Sequence, residues 1–510
     1  MPEPTAPAAT DAAPHAPEDH LQRGLSNRHI QLIAIGGAIG TGLFLGSGRT
    51  ISLAGPSVLL VYAVIGFMLF FVMRAMGEML LSNLEYKSFR DMAADVLGPW
   101  AGFLTGWTYW FCWIVTGIAD VVAVSGYVAF WAPDLPRWLP ALALVVLLLA
   151  LNLVAVRLFG ELEFWFAIVK IVAIVGLIAV GVVLISIGFR GADGVTASLS
   201  HLYSDGGFFP HGFTGFLAGF QIAIFAFVGI ELVGTTAAET RDPARTLPRA
   251  INAIPVRVLL FYLGALVVIM AVTPWRSIDP GESPFVAMFA LAGLPAAAGV
   301  INLVVLTSAA SSANSGIFST SRMLYGLAED REAPRAFGRL SARHVPARGL
   351  AFSCACLLPG VVLLYAGRSV IEAFTLVTTV ATLLFIVVWT VILVSYLVYR
   401  RRSPELHAAS AFRMPGGRVM CWVVLAFFAA MVVVLALDPD TRAALLVMPV
   451  WFGVLAVAWV VLRRRGVVGP AALPARSAGA LADDAGDDTG DDTDDDAAGE
   501  TGREPARAAH

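Results

Sequence analysis

The chain has 510 residues, of which 58% are hydrophobic and only 14% charged, with a formal net charge of −3. Its mean hydropathy is +0.77, and so little charge cannot cover the surface of several soluble domains, so most of the chain must face lipid or other buried helices. The small net charge says nothing about partners, because basic loops and an acidic tail offset one another.

Residues 1–22 are rich in Pro and Ala, carry Asp11, Glu18 and Asp19, and lack an apolar core, so they predict a disordered cytoplasmic leader rather than a signal peptide. Residues 23–465 then carry apolar runs of the length a bilayer demands, near 30–50, 55–80, 100–131, 139–158, 163–187, 213–236, 251–273, 296–325, 348–366, 371–399, 417–437 and 443–462. These predict an all-α integral membrane fold of twelve spans. A shorter apolar stretch near 284–292 predicts an extracellular surface helix. Alternate loops are basic, as at Arg241, Arg245 and Arg249, or at Arg400 to Arg402, while the intervening loops hold few cations. Positive residues stay in the cytoplasm, so both termini are expected there, in the inner membrane. Residues 466–510 turn to Ala, Gly, Pro and Asp, with the block DDAGDDTGDDTDDD, and predict a solvated, disordered acidic tail.

Two spans are interrupted by glycine. The first reads IAIGGAIGTGLFLGSG, with Gly36, Gly37, Gly40 and Gly42, and the sixth reads FQIAIFAFVGIELVGT, with Gly229 just before Glu231. Each glycine costs a helix about 1 kcal/mol relative to alanine, so unwinding is cheap in the first cluster. One reading is that the glycines let helices pack closely. The other is that both spans open in mid-membrane, where freed amides suit a carboxylate and freed carbonyls suit an ammonium group, as a zwitterionic amino acid requires. Paired interruptions at corresponding places in two halves favour the second, with spans 1–5 and 6–10 as an inverted repeat.

Ionisable groups inside a membrane need a reason. Asp120 falls in the third span, Lys170 in the fifth and Glu231 after the sixth-span glycine, and all three are candidates for exchanging a proton in each cycle. Lys170 is close enough to the cytoplasmic end to snorkel instead, and Glu231 could serve to brace the unwound turn. Glu78 lies near the end of the second span, where polar surroundings are expected. Cys112, Cys354, Cys356 and Cys421 lack metal or redox spacing and are expected to pack as small apolar residues. There is no ATP-binding GxxxxGK[ST] pattern, so the energy source is expected to be an ion gradient or the substrate's own. No cofactor, metal, enzymatic activity or nucleic-acid partner is expected.

The stretches LSNRHIQLIAIGGAIGTGLFLGSG, FAFVGIELVGTTAAETRDPARTLPRAI and LTSAASSANSGIFSTSRMLYGLAEDREAP resemble the amino acid–polyamine–organocation permeases, over about Leu21 to Arg464. The resemblance implies a LeuT-like fold of twelve spans, a five-plus-five inverted repeat with helices 1 and 6 broken, and proton-coupled uptake by alternating access. It implies that Ala38, Ile39, Gly40, Thr41 and Gly42 meet the substrate carboxylate, and that Phe225, Ala226, Val228 and Gly229 meet the amino group, with Phe225 closing the pocket. It also implies that Lys170 stands where sodium sits in sodium-coupled relatives. Several relatives carry Glu where this chain has Asp120, so their substrate contacts do not transfer directly, and the acidic tail has no counterpart. The expected substrates are glycine, D-alanine, D-serine and L-alanine. Proline, GABA, aromatic or basic substrates, an uncoupled facilitator and a transporter-like sensor remain as alternatives.

Overall fold

A computed structural model describes residues 39–86, 88–154, 156–191, 194–235, 243–341 and 345–466. The leader, Ala38 and nearly all of the acidic tail lie outside these residues. The chain divides into Met1–Ala471 and Ala472–His510, and every described residue belongs to the first unit.

Among the described residues the fold is helical throughout, apart from one isolated bridge between Arg190 and Thr196. The helices that build the site are α1 (Gly46–Ala54), α2 (Val58–Ser82), α3 (Phe89–Leu97), α4 (Pro99–Ala129), α5 (Trp138–Val154), α6 (Val156–Ser186), α7 (Pro295–Glu329) and α8 (Val370–Arg402). Ten helical runs among the described residues are long and apolar enough to cross a membrane, and Trp138–Leu153 is a shorter apolar helix. One of the ten, Gly46–Ser82, joins α1 to α2 through the tight turn Gly55–Ser57.

Burial separates the centre of the bundle from its rim. In the most apolar windows of Gly212–Gly234, α4 and α8, 83%, 78% and 78% of residues are buried within the protein, against 6% in Thr441–Arg464. The outward residues of the last two spans, such as Trp422, Val450 and Val457, are large and apolar, as a lipid-facing rim requires. Small residues let α4 pack tightly against α7: a side chain on Gly316 would meet the Trp113 ring at 2.8 Å. The cysteines are free, with Cys112, Cys354 and Cys421 buried and Cys356 half-buried.

One expectation is corrected. The 284–292 stretch forms the helix Pro284–Leu291, but it is no surface helix: Phe285 and Met288 are fully buried, and the Phe285 ring meets Phe44 edge-on at 4.9 Å. Its apolar residues pack over the first broken span instead of facing water. Glu78 finds the polar surroundings expected of it although it is fully buried: it accepts hydrogen bonds from the Tyr396 hydroxyl at 2.8 Å and the Met414 amide at 2.7 Å, and pairs with His407. At one end of the bundle, Arg90 of α3 binds Asp330 at 2.6 Å and Glu332 at 2.7 Å, just beyond α7. Burial opposes the Arg90 charge, but Glu332 and Asp330 outweigh it and hold its proton affinity above the ordinary guanidinium value.

Candidate functional site

The chain is extended at Gly40, with φ −135° and ψ −161°, and turns helical only at Thr41. The Leu43 and Phe44 amides both reach the Gly40 carbonyl at 3.2 Å, so the Thr41 and Gly42 amides precede the first intrahelical donor. The Ile39 carbonyl accepts the Ser308 hydroxyl of α7 at 3.2 Å. The Thr41 hydroxyl donates to Asp120 Oδ1 of α4 at 2.7 Å. Asp120 is fully buried, and its Oδ2 has no hydrogen-bond partner among the described residues.

The sixth-span interruption is a full break. The single tight turn Ile224–Phe227 ends at Val228, whose ψ of 138° leaves the helical region. Gly229 follows with φ 96°, a conformation side chains disfavour, and helix resumes at Leu232. The Val228 amide donates to the Phe225 carbonyl at 3.1 Å and the Leu232 amide to the Gly229 carbonyl at 3.2 Å. The Ala226 carbonyl accepts the Tyr262 hydroxyl at 2.9 Å. Tyr262 lies in the wide π-helical turn Val258–Gly264, and its ring stacks on Phe227 at 4.8 Å. Glu231 bridges the break: Oε2 accepts the Gly229 amide at 3.2 Å and Oε1 accepts the Tyr109 hydroxyl of α4 at 3.3 Å. The Phe225 ring stands edge-on to Phe374 of α8 at 6.0 Å.

The two interruptions touch through their backbones. A Cβ on Gly42 would fall 2.6 Å from Ala226 Cα and 2.7 Å from its amide nitrogen. Only a residue without a side chain allows that approach, as the packing reading of this glycine requires.

Lys170 does not snorkel. It is buried, its ammonium donates to Ser311 Oγ of α7 at 3.2 Å, and it lies within electrostatic reach of Glu163 and Asp120. Of the residues expected at the site, the structure brings Gly42 against Phe225 and Ala226, ties Thr41 to Asp120, and sets Glu231 on the Gly229 amide. Lys170 joins this assembly through α7. Sequence reasoning missed Ser308, Ser311, Tyr109, Tyr262 and Glu163. Glu163 had a signal, since it precedes Lys170 by seven residues and so shares its helix face.

A helix that starts after an extended Gly40 and touches a broken sixth span, inside a shell of apolar spans with buried charge nearby, fits a membrane permease. The chain belongs to the amino acid permease family, whose model matches residues 29–468, and to the amino acid–polyamine–organocation superfamily. It is a multi-pass inner-membrane transporter, not an enzyme. It is 65% identical over 457 residues to the D-serine/D-alanine/glycine transporter of Escherichia coli (strain K12), covering 90% of this chain and 97% of that one. It is 53% identical to amino-acid permease AapA of Bacillus subtilis, over 88% of this chain and 96% of the relative. To the probable threonine/serine transporter YbxG of the same bacterium it is 43% identical, over 86% and 95%.

Proposed function

We infer that this protein imports small neutral amino acids, namely glycine, D-alanine, D-serine and L-alanine, by proton symport with alternating access. The backbone contact between Gly42 and Ala226 carries this reading. It packs the start of the first helix against the Phe225–Ala226 backbone, which supports reading the early amides of the one and the carbonyls of the other as the donors and acceptors for the two poles of a zwitterion. The Thr41 and Gly42 amides would take the carboxylate, together with those of Ile39 and Gly40. The Phe225, Ala226, Val228 and Gly229 carbonyls would take the ammonium group. A pocket built largely of backbone grips what all these substrates share and leaves the small side chain to the surroundings. Glu231 would keep the second break open by holding the Gly229 amide. The 65% identity to a transporter named for D-serine, D-alanine and glycine supports the substrate class.

Twelve spans follow if α1 and α2 are counted separately on either side of the Gly55–Ser57 turn and α5 is added to the long helices. The basic clusters at Arg400 to Arg402 and Arg463 to Arg465 support an orientation with both termini in the cytoplasm. Lys170, held in the protein interior, is the leading site for the coupling proton, with Asp120 linking it to the first break through Thr41.

The test is uptake into proteoliposomes with an imposed pH gradient, using labelled D-alanine and competitors offered as enantiomer pairs. Gradient-driven accumulation, with strong competition by glycine, D-serine and both alanines, is expected. Lys170→Met, which keeps the stem and removes the amine, is expected to abolish accumulation. Accumulation by wild type that is indifferent to collapse of the gradient would contradict the reading.

A further inference from the structure

Glu163 is a buried carboxylate that the substrate-binding account leaves unused. It precedes Lys170 by seven residues on α6, close to two helical turns, so both side chains project from one face. A charge at this depth needs partners, and Glu163 has them. The Ser311 hydroxyl donates to its Oε2 at 2.7 Å, and the Asn314 amide donates to its Oε1 at 3.2 Å. Asn314 is itself fixed by Asn152 of α5, which donates to its Oδ1 at 2.8 Å. The Ser311 oxygen also accepts the Lys170 ammonium at 3.2 Å. Donation therefore runs in one sense, from Lys170 Nζ to the Ser311 oxygen and from the Ser311 hydroxyl to Glu163.

We propose that Glu163 is a second proton site of the transport cycle, exchanging a proton with Lys170 through the Ser311 hydroxyl. The inference rests on the proton-symport reading above. In the step, an N–H bond of Lys170 breaks as its proton passes to the Ser311 oxygen, and the O–H bond of Ser311 breaks as its proton passes to Glu163 Oε2. Ser311 ends as it began, while the ammonium–carboxylate pair becomes a neutral amine and a carboxylic acid. The summed charge of the pair stays zero, so the transfer adds no net charge to the membrane interior. The groups facing the pair are consistent with this. Asp120 of α4 is the other charge in reach of Lys170, whereas α7 presents the neutral Ser311 and Asn314 and α5 the neutral Asn152. Ser308, which binds the Ile39 carbonyl at the first break, stands three residues before Ser311. Less than one turn of α7 thus joins the relay to the substrate site.

The test uses the full-length protein in proteoliposomes and labelled glycine, measured both as accumulation driven by a pH gradient and as exchange against internal glycine without one. Glu163→Gln, which keeps an acceptor for Ser311 but cannot take up a proton, is expected to lower accumulation at least about tenfold and exchange by no more than about threefold. Its accumulation should also lose the pH dependence of wild type. Ser311→Ala should behave likewise, and Ser311→Thr, which keeps a hydroxyl, should recover accumulation to within about threefold of wild type. Wild-type accumulation and pH profile in Glu163→Gln would overturn the proposal. So would equal performance of Ser311→Ala and Ser311→Thr, or equal loss of accumulation and exchange in both Glu163→Gln and Ser311→Ala, which marks a folding role. Failure of the underlying reading is recognised separately: wild type would exchange glycine yet show no gradient-driven accumulation.

Discussion

Gly42 and Gly40 sit two residues apart in the first interruption, yet they meet different surroundings. A Cβ at Gly42 would fall 2.6 Å from the Ala226 backbone, whereas at Gly40 it would meet Ser312 Oγ at 3.5 Å, an ordinary contact. Gly40 is also in extended backbone that any residue adopts. Gly42→Ala is therefore expected to lower stability by about 1–3 kcal/mol, read as a lower thermal midpoint in detergent, together with lost uptake. Gly40→Ala is expected to keep the wild-type midpoint and to raise KM for glycine by adding a methyl beside the substrate site. Equal midpoints for the two variants would contradict the assigned contacts. Asp120, Lys170 and Glu231 were legible in the sequence because ionisable groups inside apolar runs are conspicuous. Glu163 was overlooked because it lies at the edge of its span, where charge is ordinary; its seven-residue spacing from Lys170 was the one sequence signal, and its bonds to Ser311 and Asn314 give that spacing meaning.

At the scale of elements, the sequence indicates where helices stop better than what they touch. The break at Val228–Gly229 was foreshadowed by glycine two residues before Glu231, and the extended backbone at Gly40 by the glycine cluster. Short apolar Pro284–Leu291 suggested a surface helix because composition does not distinguish a lipid-facing surface from a protein interior. The Arg90 tie was also hidden, since it joins residues 242 positions apart in the chain. It anchors α3 to the end of α7, the helix that carries Ser308 and Ser311. Removing one partner of a buried pair costs about 3–5 kcal/mol, because the other charge is left unpaired. Arg90→Met is thus expected to destabilise the protein by that order, and Arg90→Met with Glu332→Met to regain at least half of it. Unfolding of the two variants at the same thermal midpoint, well below wild type, would show that the pair itself is not the anchor.

For the whole molecule, the twelve apolar runs and the basic loops were the strongest signals, because bilayer thickness and charge asymmetry act on composition directly. Observed helices end within a few residues of the expected ones in most spans, as with 417–437 against Gly417–Leu437. The seventh begins earlier, at Pro243, where an amphipathic helix with polar ends precedes the apolar core. For the proposed orientation, a reporter active only in the cytoplasm is expected to give signal when fused after Arg465 and none when fused within the 366–369 loop; the reverse pattern would invert the topology. The central claim is that two opened helices clasp both poles of one zwitterion, and analogues that lack one pole test it most directly. Competition for labelled D-alanine uptake is measured with propionate, which lacks the ammonium group, and with D-alanine amide, which lacks the carboxylate. Neither is expected to compete at about a hundredfold excess, because each lacks one of the two charged poles that the proposed site holds, whereas inhibition by either analogue as strong as that by D-alanine itself would contradict the account.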